Sequence, residues 1–169
     1  MENLWAPWRM TFIRPKSEPA PGCIFCMQPA AHQDETYYIL YRGKHCFMML
    51  NLYPYSNGHL MIAPYEHVNS IEKLSAEVLA DLMAQTQLAL RALRLTMNPD
   101  GFNMGINEGK VAGAGFADHM HYHVVPRWNG DTNFMPVIAD IKVMPEHLDV
   151  IYRELKAALA KIQPPEEQE

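Results

Sequence analysis

The segment His119-Met120-His121-Tyr122-His123-Val124-Val125-Pro126-Arg127 sets three imidazoles at a spacing of two. Alternate residues of an extended strand share a face, so His119, His121 and His123 point one way and Met120, Tyr122 and Val124 the other. A lone histidine on an apolar strand is commonly structural, but three with this period point to chemistry. At roughly 3.3 Å per residue, the outer two lie about 13 Å apart at Cα. Metal–nitrogen bonds are only about 2.0–2.1 Å long. A straight strand can therefore offer neighbouring members of the row to one ion, but not readily all three. The row suits adjacent tasks along an extended substrate. A neutral central imidazole can be a nucleophile, and its neighbours can position it or handle protons near neutral pH.

Two further groups of residues lie within reach of such chemistry. Asn107-Glu108-Gly109 and Gly113-Ala114-Gly115 precede the row, and glycine-rich backbone can approach an anion closely enough to cradle a phosphate. By itself this Gly-x-Gly is equally a tight turn. Arg127 either adds positive charge or sits outside the site. Cys23-x-x-Cys26 is half of a structural zinc site that histidines would have to complete, or else a redox pair. Cys46 reads as a small core residue, and His32, His45 and His147 as surface or core residues.

The elements that must position these groups follow from periodicity. Tyr37 to Tyr41, His45 to Asn51 and His59 to Ala63 read as strands of an antiparallel meander, with a Ser56-Asn57-Gly58 turn before the third. Leu79, Leu82, Met83, Leu90, Leu93 and Met97 form the stripe of a long helix. Ser70 or Ser75 can cap its start, and Asn98-Pro99-Asp100-Gly101 stops it. Phe102, Met104 and Ile106 alternate as a fourth strand, and His119 to Pro126 is a fifth. Glu146 to Ile162 reads as a C-terminal helix with Leu148, Ile151, Tyr152, Leu155 and Leu159 inward. Helices segregated around an antiparallel sheet make an α+β fold. It is organised as one domain over residues 1–162, with a Pro-rich irregular arm over 1–22 leading into the Cys-x-x-Cys turn, and a frayed acidic tail over 163–169.

Composition narrows the function classes. The chain has 169 residues, 14 Lys plus Arg and 19 Asp plus Glu, for a formal net charge of −5. That balance argues against duplex nucleic acid, which is held by many cation–phosphate contacts. No stretch approaches the roughly 18–20 apolar residues of a membrane span, and no signal-peptide pattern opens the chain. The three cysteines favour metal or redox chemistry in a reducing compartment, so a cytoplasmic location is expected. The 12 methionines are read as core filler.

His-x-His-x-His followed by two apolar residues, at His119 to Val125, resembles the signature of the histidine triad (HIT) family. Asn51 through Pro64 and His67 is similar to the family's first block, and Asn107-Glu108-Gly109 to its second, so the resemblance covers about residues 23–128. The Trp5-Ala6-Pro7-Trp8-Arg9-Met10 arm and Pro126-Arg127-Trp128 resemble the bacterial branch that includes diadenosine polyphosphate phosphorylases. The resemblance implies a five-stranded antiparallel sheet with one long central helix and a C-terminal helix, usually paired as a homodimer. It implies nucleotidyl transfer or hydrolysis on dinucleoside polyphosphates through a covalent nucleotidyl-histidine. His121 would be the nucleophile and His123 would contact phosphate and help protonate the leaving group, with His59 close by. Asn51 would face the ribose, and Asn107, Gly113, Ala114 and Gly115 would line the phosphates. A structural Zn²⁺ would take Cys23, Cys26, His67 and His119. The sequence departs from the family where many members carry Gln-Ser or Gln-Thr before the triad. Here Gly115-Phe116-Ala117-Asp118 stands there, which leaves the leaving group open. The alternatives are a nucleoside phosphoramidate hydrolase, a non-catalytic zinc-stabilised nucleotide-binding module, and an iron oxygenase using the histidine row, which the long helix argues against.

Overall fold

Five antiparallel strands in the order β1-β2-β3-β5-β4 form the centre of the structure. The structure is a computed structural model that describes residues 22–131 and 146–162. The expected arm, up to residue 21, and the tail over 163–169 lie outside the described residues. The strands are β1 Ile39–Arg42, β2 Cys46–Leu50, β3 Leu60–Pro64, β4 Gly101–Ile106 and β5 Tyr122–Arg127. The helices are α1 Ile24–Ala30, α2 Ala76–Met97 and α3 Leu148–Ile162. The α+β class and the five-stranded sheet are as the sequence predicts.

Both faces of the sheet are covered, which explains why β2 and β3 read as unbroken apolar runs. Cys46, Met48, Leu50, Leu60, Ile62 and Val124 face α2 and α3 in the larger core. Phe47, Met49, Met61 and Ala63 face the other way, where Ile39 and Phe25 of α1 complete a second core. Cys46 is fully buried, as expected of a core residue. The hairpin between β2 and β3 closes through Gly58 at φ +72°, where a Cβ would lie 2.6 Å from Met97 Sδ. That backbone conformation and that contact both require glycine.

The structure corrects several sequence expectations. The stretch over Cys23 to Ala30 is not an irregular turn: Ile24–Ala30 is helical despite Pro29. The first strand begins at Ile39 rather than Tyr37. The buried face of α2 runs through Val78, Leu82, Gln85, Thr86, Ala89, Ala92 and Leu93, whereas Met83 is exposed. Small residues let this helix sit close against the sheet, and Gln85 Nε2 reaches across to donate to the Cys46 carbonyl. The two candidate caps divide the work: Ser75 accepts from Val78 N–H at the start of α2, and Ser70 caps the short 3-10 turn Ile71–Lys73. Leu148 is only half-buried, while Ile151, Tyr152, Leu155 and Leu159 of α3 are buried. No described helix is long and apolar enough to cross a membrane.

The last correction bears on the site. β5 starts at Tyr122, so His119 and His121 precede the ladder. The alternation of faces nevertheless persists through them. Met120 and Val124 enter the helix-side core, and Met120 N–H bonds to the Val68 carbonyl at 2.7 Å. The three histidines lie on the opposite face with Phe25, whose ring stacks on His121. His123 is directly opposite Met61 on β3 and Gly105 on β4. A Cβ on Gly105 would meet nothing within 4 Å, so the space beside His123 is open.

Candidate active site and metal centre

Main-chain groups dictate which nitrogen of each histidine carries its proton. A carbonyl can only accept, and an amide can only donate. His119 Nε2 lies 2.9 Å from the Pro64 carbonyl, so Nε2 is the protonated nitrogen and Nδ1 keeps its lone pair. His121 Nδ1 lies 3.1 Å from the His119 carbonyl, so the opposite holds: Nδ1 donates and Nε2 is the free base. At His59, Nδ1 accepts from Tyr55 N–H at 3.0 Å and faces Asn51 Nδ2 at 3.3 Å. His59 Nε2 therefore donates to His123 Nδ1 at 2.9 Å. His123 is left with its proton on Nε2, a buried atom with no protein partner among the described residues.

Burial disfavours the charged form of His119, His121 and His123. Desolvation lowers the His123 pKa to about 4, with His121 adding a smaller push. It also lowers His121, against the opposing bond to the His119 carbonyl. The His121 and His123 ring centroids are 4.7 Å apart. The face thus presents, side by side, an imidazole lone pair and an imidazole N–H donor. That pairing suits attack on an electrophile whose departing or non-bridging oxygen needs a hydrogen bond.

His119 faces away from this pair, into a cluster with Cys23, Cys26 and His67. One ligand atom from each lies within 4.8 Å of all the others. Its Nδ1 is 3.2 Å from Cys23 Sγ and 3.6 Å from Cys26 Sγ, and Cys26 Sγ is 3.4 Å from His67 Nδ1. A tetrahedral zinc ion with two sulfur and two nitrogen ligands spaces its ligand atoms about 3.3–3.8 Å apart. The residues therefore fit a Cys₂His₂ metal centre. The Pro64 carbonyl supplies the outer hydrogen bond that orients a ligating histidine. Burial and the adjacent Cys23 thiol push the Cys26 thiol up, an effect that a divalent cation would reverse.

Other sequence-predicted residues are placed less simply. Asn51 Oδ1 accepts from Tyr53 N–H at 2.9 Å, so its amide organises the β2–β3 loop and the His59 tautomer. Asn107 continues the alternation of Asn103 and Gly105 onto the site face, and its Nδ2 donates to the Tyr55 hydroxyl at 3.3 Å. The expected amide cradle is partly used up by its own turn. Gly113 N–H bonds to the Lys110 carbonyl and Ala114 N–H to the Gly109 carbonyl. The loop's remaining offer is space, because a Cβ at Gly109, Gly113 or Gly115 would meet nothing within 4 Å. Arg127 is tied to Asp131 and Asn103. Sequence reasoning missed Tyr55 and Phe25. Tyr55 holds His59 through its amide and packs its ring 5.5 Å from His123. Phe25 lies between the two cysteines, which was the available signal.

The model of the HIT domain matches residues 33–130, and the chain belongs to that family. It is 42% identical over 155 residues to an AP-4-A phosphorylase of Mycobacterium tuberculosis, covering 88% of this chain and 79% of the relative. It is also 26% identical over 110 residues to an adenosine 5'-monophosphoramidase of Schizosaccharomyces pombe, covering 65% and 79% of the two chains. Among solved structures, a Zn-bound histidine triad family protein from Mycobacterium smegmatis superposes with a TM-score of 0.67 at 30% identity. That match covers 83% of this chain and 94% of the other.

Two predictions follow from this geometry. Cys23→Ser should lower bound zinc from about one ion per chain, measured by elemental analysis, and reduce the melting temperature. Zinc-free purified protein that is indifferent to chelators would refute the metal assignment. The His123 ring should remain neutral to about pH 4, read by NMR titration of its ring protons. An unfolded histidine binds its proton near pH 6.5, so the unfolded state takes up protons first. This contribution to stability is therefore complete above about pH 6.5 and is lost as the pH falls toward 4. A His123 midpoint near 6.5 in the folded protein would contradict the burial argument.

Proposed function

We propose that the protein transfers a nucleotidyl group from dinucleoside polyphosphates, such as diadenosine tetraphosphate, through a covalent intermediate on His121. The observation that carries this reading is the proton placement across His121 and His123. His121 Nε2 attacks the α-phosphorus, forming a P–N bond as the P–O bond to the polyphosphate breaks. An acceptor oxygen from phosphate or water then attacks the same phosphorus, and the P–N bond breaks. Phosphate as acceptor returns ADP and ATP from diadenosine tetraphosphate; water returns AMP and ATP.

The state of His123 supports this reading over its nearest rival. A ring with a pKa of about 4 is neutral at physiological pH, and its Nε2–H can give a hydrogen bond but is a weak source of a full proton. A leaving polyphosphate, whose terminal ionisation falls near pH 6, departs as an anion and needs only that hydrogen bond. An amine leaving a phosphoramidate needs the proton itself. The site as built favours phosphate over amine leaving groups, and the similarity to a phosphorylase supports the same choice. Asn107, Gly115 and the open loop over Gly109 to Gly115 would meet the phosphates, and Asn51 would face the ribose. Zinc at Cys23, Cys26, His67 and His119 has a structural role in this scheme, since all four positions of a tetrahedral ion are filled by protein.

The product profile from diadenosine tetraphosphate tests the proposal. ADP plus ATP should form only when phosphate is present, and His121→Ala should reduce the rate by at least about 1,000-fold. Intact mass of acid-quenched wild type should show an adenylyl adduct. Turnover of adenosine phosphoramidate alone would favour the amidase, and AMP binding with no turnover of either substrate would favour a binding module.

We also infer a homodimer. Among the described residues β4 lies at the edge of the sheet, with β5 its neighbour on one side, and it carries Met104 with 48% of its surface exposed. An apolar, unpaired strand edge is a natural joint between copies. Light scattering should return about twice the 19.3 kDa chain mass; a monomer at micromolar concentration would dismiss this assembly.

A further inference from the structure

Phe25 has no reactive group, yet its ring lies against two of the three histidines of the row. It is 1% exposed. Its ring stacks on His121 with centroids 4.6 Å apart and planes 25° apart. The same ring lies 5.3 Å from that of His119, and Phe116 closes on it edge-to-face at 6.1 Å. His121 needs such a wall. Its ring hydrogen bond, from Nδ1 to the His119 carbonyl, leaves the imidazole free to tilt, because rotation about the second side-chain torsion of histidine is broad. A flat apolar ring stacked on one side restricts that tilt and so aims Nε2.

Phe25 is held by its packing with Ile39, Phe47, Met49 and Met61 in the second core and by the anchoring of its helix at both ends, not by helix stability. α1 has seven residues, contains Pro29, and starts at Cys23 with no side-chain cap. A helix this short is not stable alone in water. Its C-terminal end is anchored where Arg42 Nη2 donates to the Pro29 carbonyl at 2.8 Å. Its N-terminal turn closes through Cys26 N–H and Met27 N–H on the Cys23 carbonyl. The two candidate metal ligands thus bracket Phe25 within a single turn.

We propose that Phe25 is a positioning residue for His121: a metal held by Cys23 and Cys26 clamps the first turn of α1, and that clamp keeps the Phe25 ring stacked on the imidazole that carries the reacting Nε2. Nucleophile orientation then depends on metal occupancy, although the metal touches neither substrate nor His121. This deepens the proposed function and rests on it only for the kinetic readout.

The test uses the full chain with labelled histidine and NMR of the His121 ring protons, which the stacked Phe25 ring should shift upfield in the zinc-loaded protein. Phe25→Leu should abolish that shift while zinc content stays unchanged, and Phe25→Met serves if the leucine variant does not fold. Chelation of the wild type, with native far-UV circular dichroism retained, should abolish the shift as well. With diadenosine tetraphosphate, Phe25→Leu should lower kcat about 10- to 100-fold, with KM nearly unchanged. A shift that survives chelation, or global unfolding on chelation, would overturn the clamp. A raised KM with intact kcat would make Phe25 a wall of the nucleotide pocket instead. The proton shifts require no substrate, so absent turnover in the wild type would count against the proposed function and not against the clamp.

Discussion

A backbone amide can donate a hydrogen bond but cannot accept one, and a carbonyl can accept but cannot donate. The site depends on that asymmetry. Tyr55 N–H makes His59 Nδ1 an acceptor, which makes His59 Nε2 a donor to His123 and leaves His123 with a proton to offer at Nε2. The His119 carbonyl makes His121 Nδ1 a donor and frees Nε2 as the base. The Pro64 carbonyl does the same at His119 for Nδ1, toward the thiols. Four imidazoles could adopt many proton arrangements. Three main-chain contacts reduce them to one, and in a buried site the alternatives would each face a donor with a donor or an acceptor with an acceptor.

Those contacts are available because of the sheet order. β5 inserts between β3 and β4, which brings the triad beside Met61 on one side and Gly105 on the other. The end of β3 delivers Pro64 to His119, and the segment just beyond delivers His67, stitched in by Met120 N–H on the Val68 carbonyl. The β2–β3 loop folds Tyr55 back over His59. The helix-side core, whose buried Gln85 bonds to the Cys46 carbonyl, keeps the strands in this register. The face with α1 is thinner, and the reactive side chains lie there.

Much of this was legible in the sequence, because strand alternation and helix punctuation are carried by side-chain type. The period of two at His119, His121 and His123 gave the shared face, and Ser56-Asn57-Gly58 gave the hairpin. What stayed hidden was carried by groups that no letter encodes. The carbonyls of Pro64 and His119 and the amide of Tyr55 look the same at every residue. α1 was missed because Pro29 and the paired cysteines are turn signals locally, and only tertiary contacts hold seven residues helical there. Met83 was misplaced because counting large apolar residues overlooks a buried face built from Ala89 and Ala92. The amide cradle over Gly113 and Ala114 was overestimated, because sequence cannot say whether a glycine-rich loop spends its N–H groups on itself.

The row of three histidines also shows why an evenly spaced motif need not have one function. The reach argument leaves no single ion common to all three, and the structure separates them accordingly. His119 turns to the thiols, His121 is stacked and aimed, and His123 is buried against His59. The first two lie before the ladder begins, where the chain is free to curve, while His123 lies within β5 and is fixed by pairing on both sides. The histidine fixed by strand pairing is the one that accepts a hydrogen bond from His59. His121 sits outside the ladder, with its ring stacked on Phe25. Three alternate positions on one face thus have three different surroundings: His119 lies beside two thiols, His121 against an aromatic ring, and His123 in a hydrogen bond with His59.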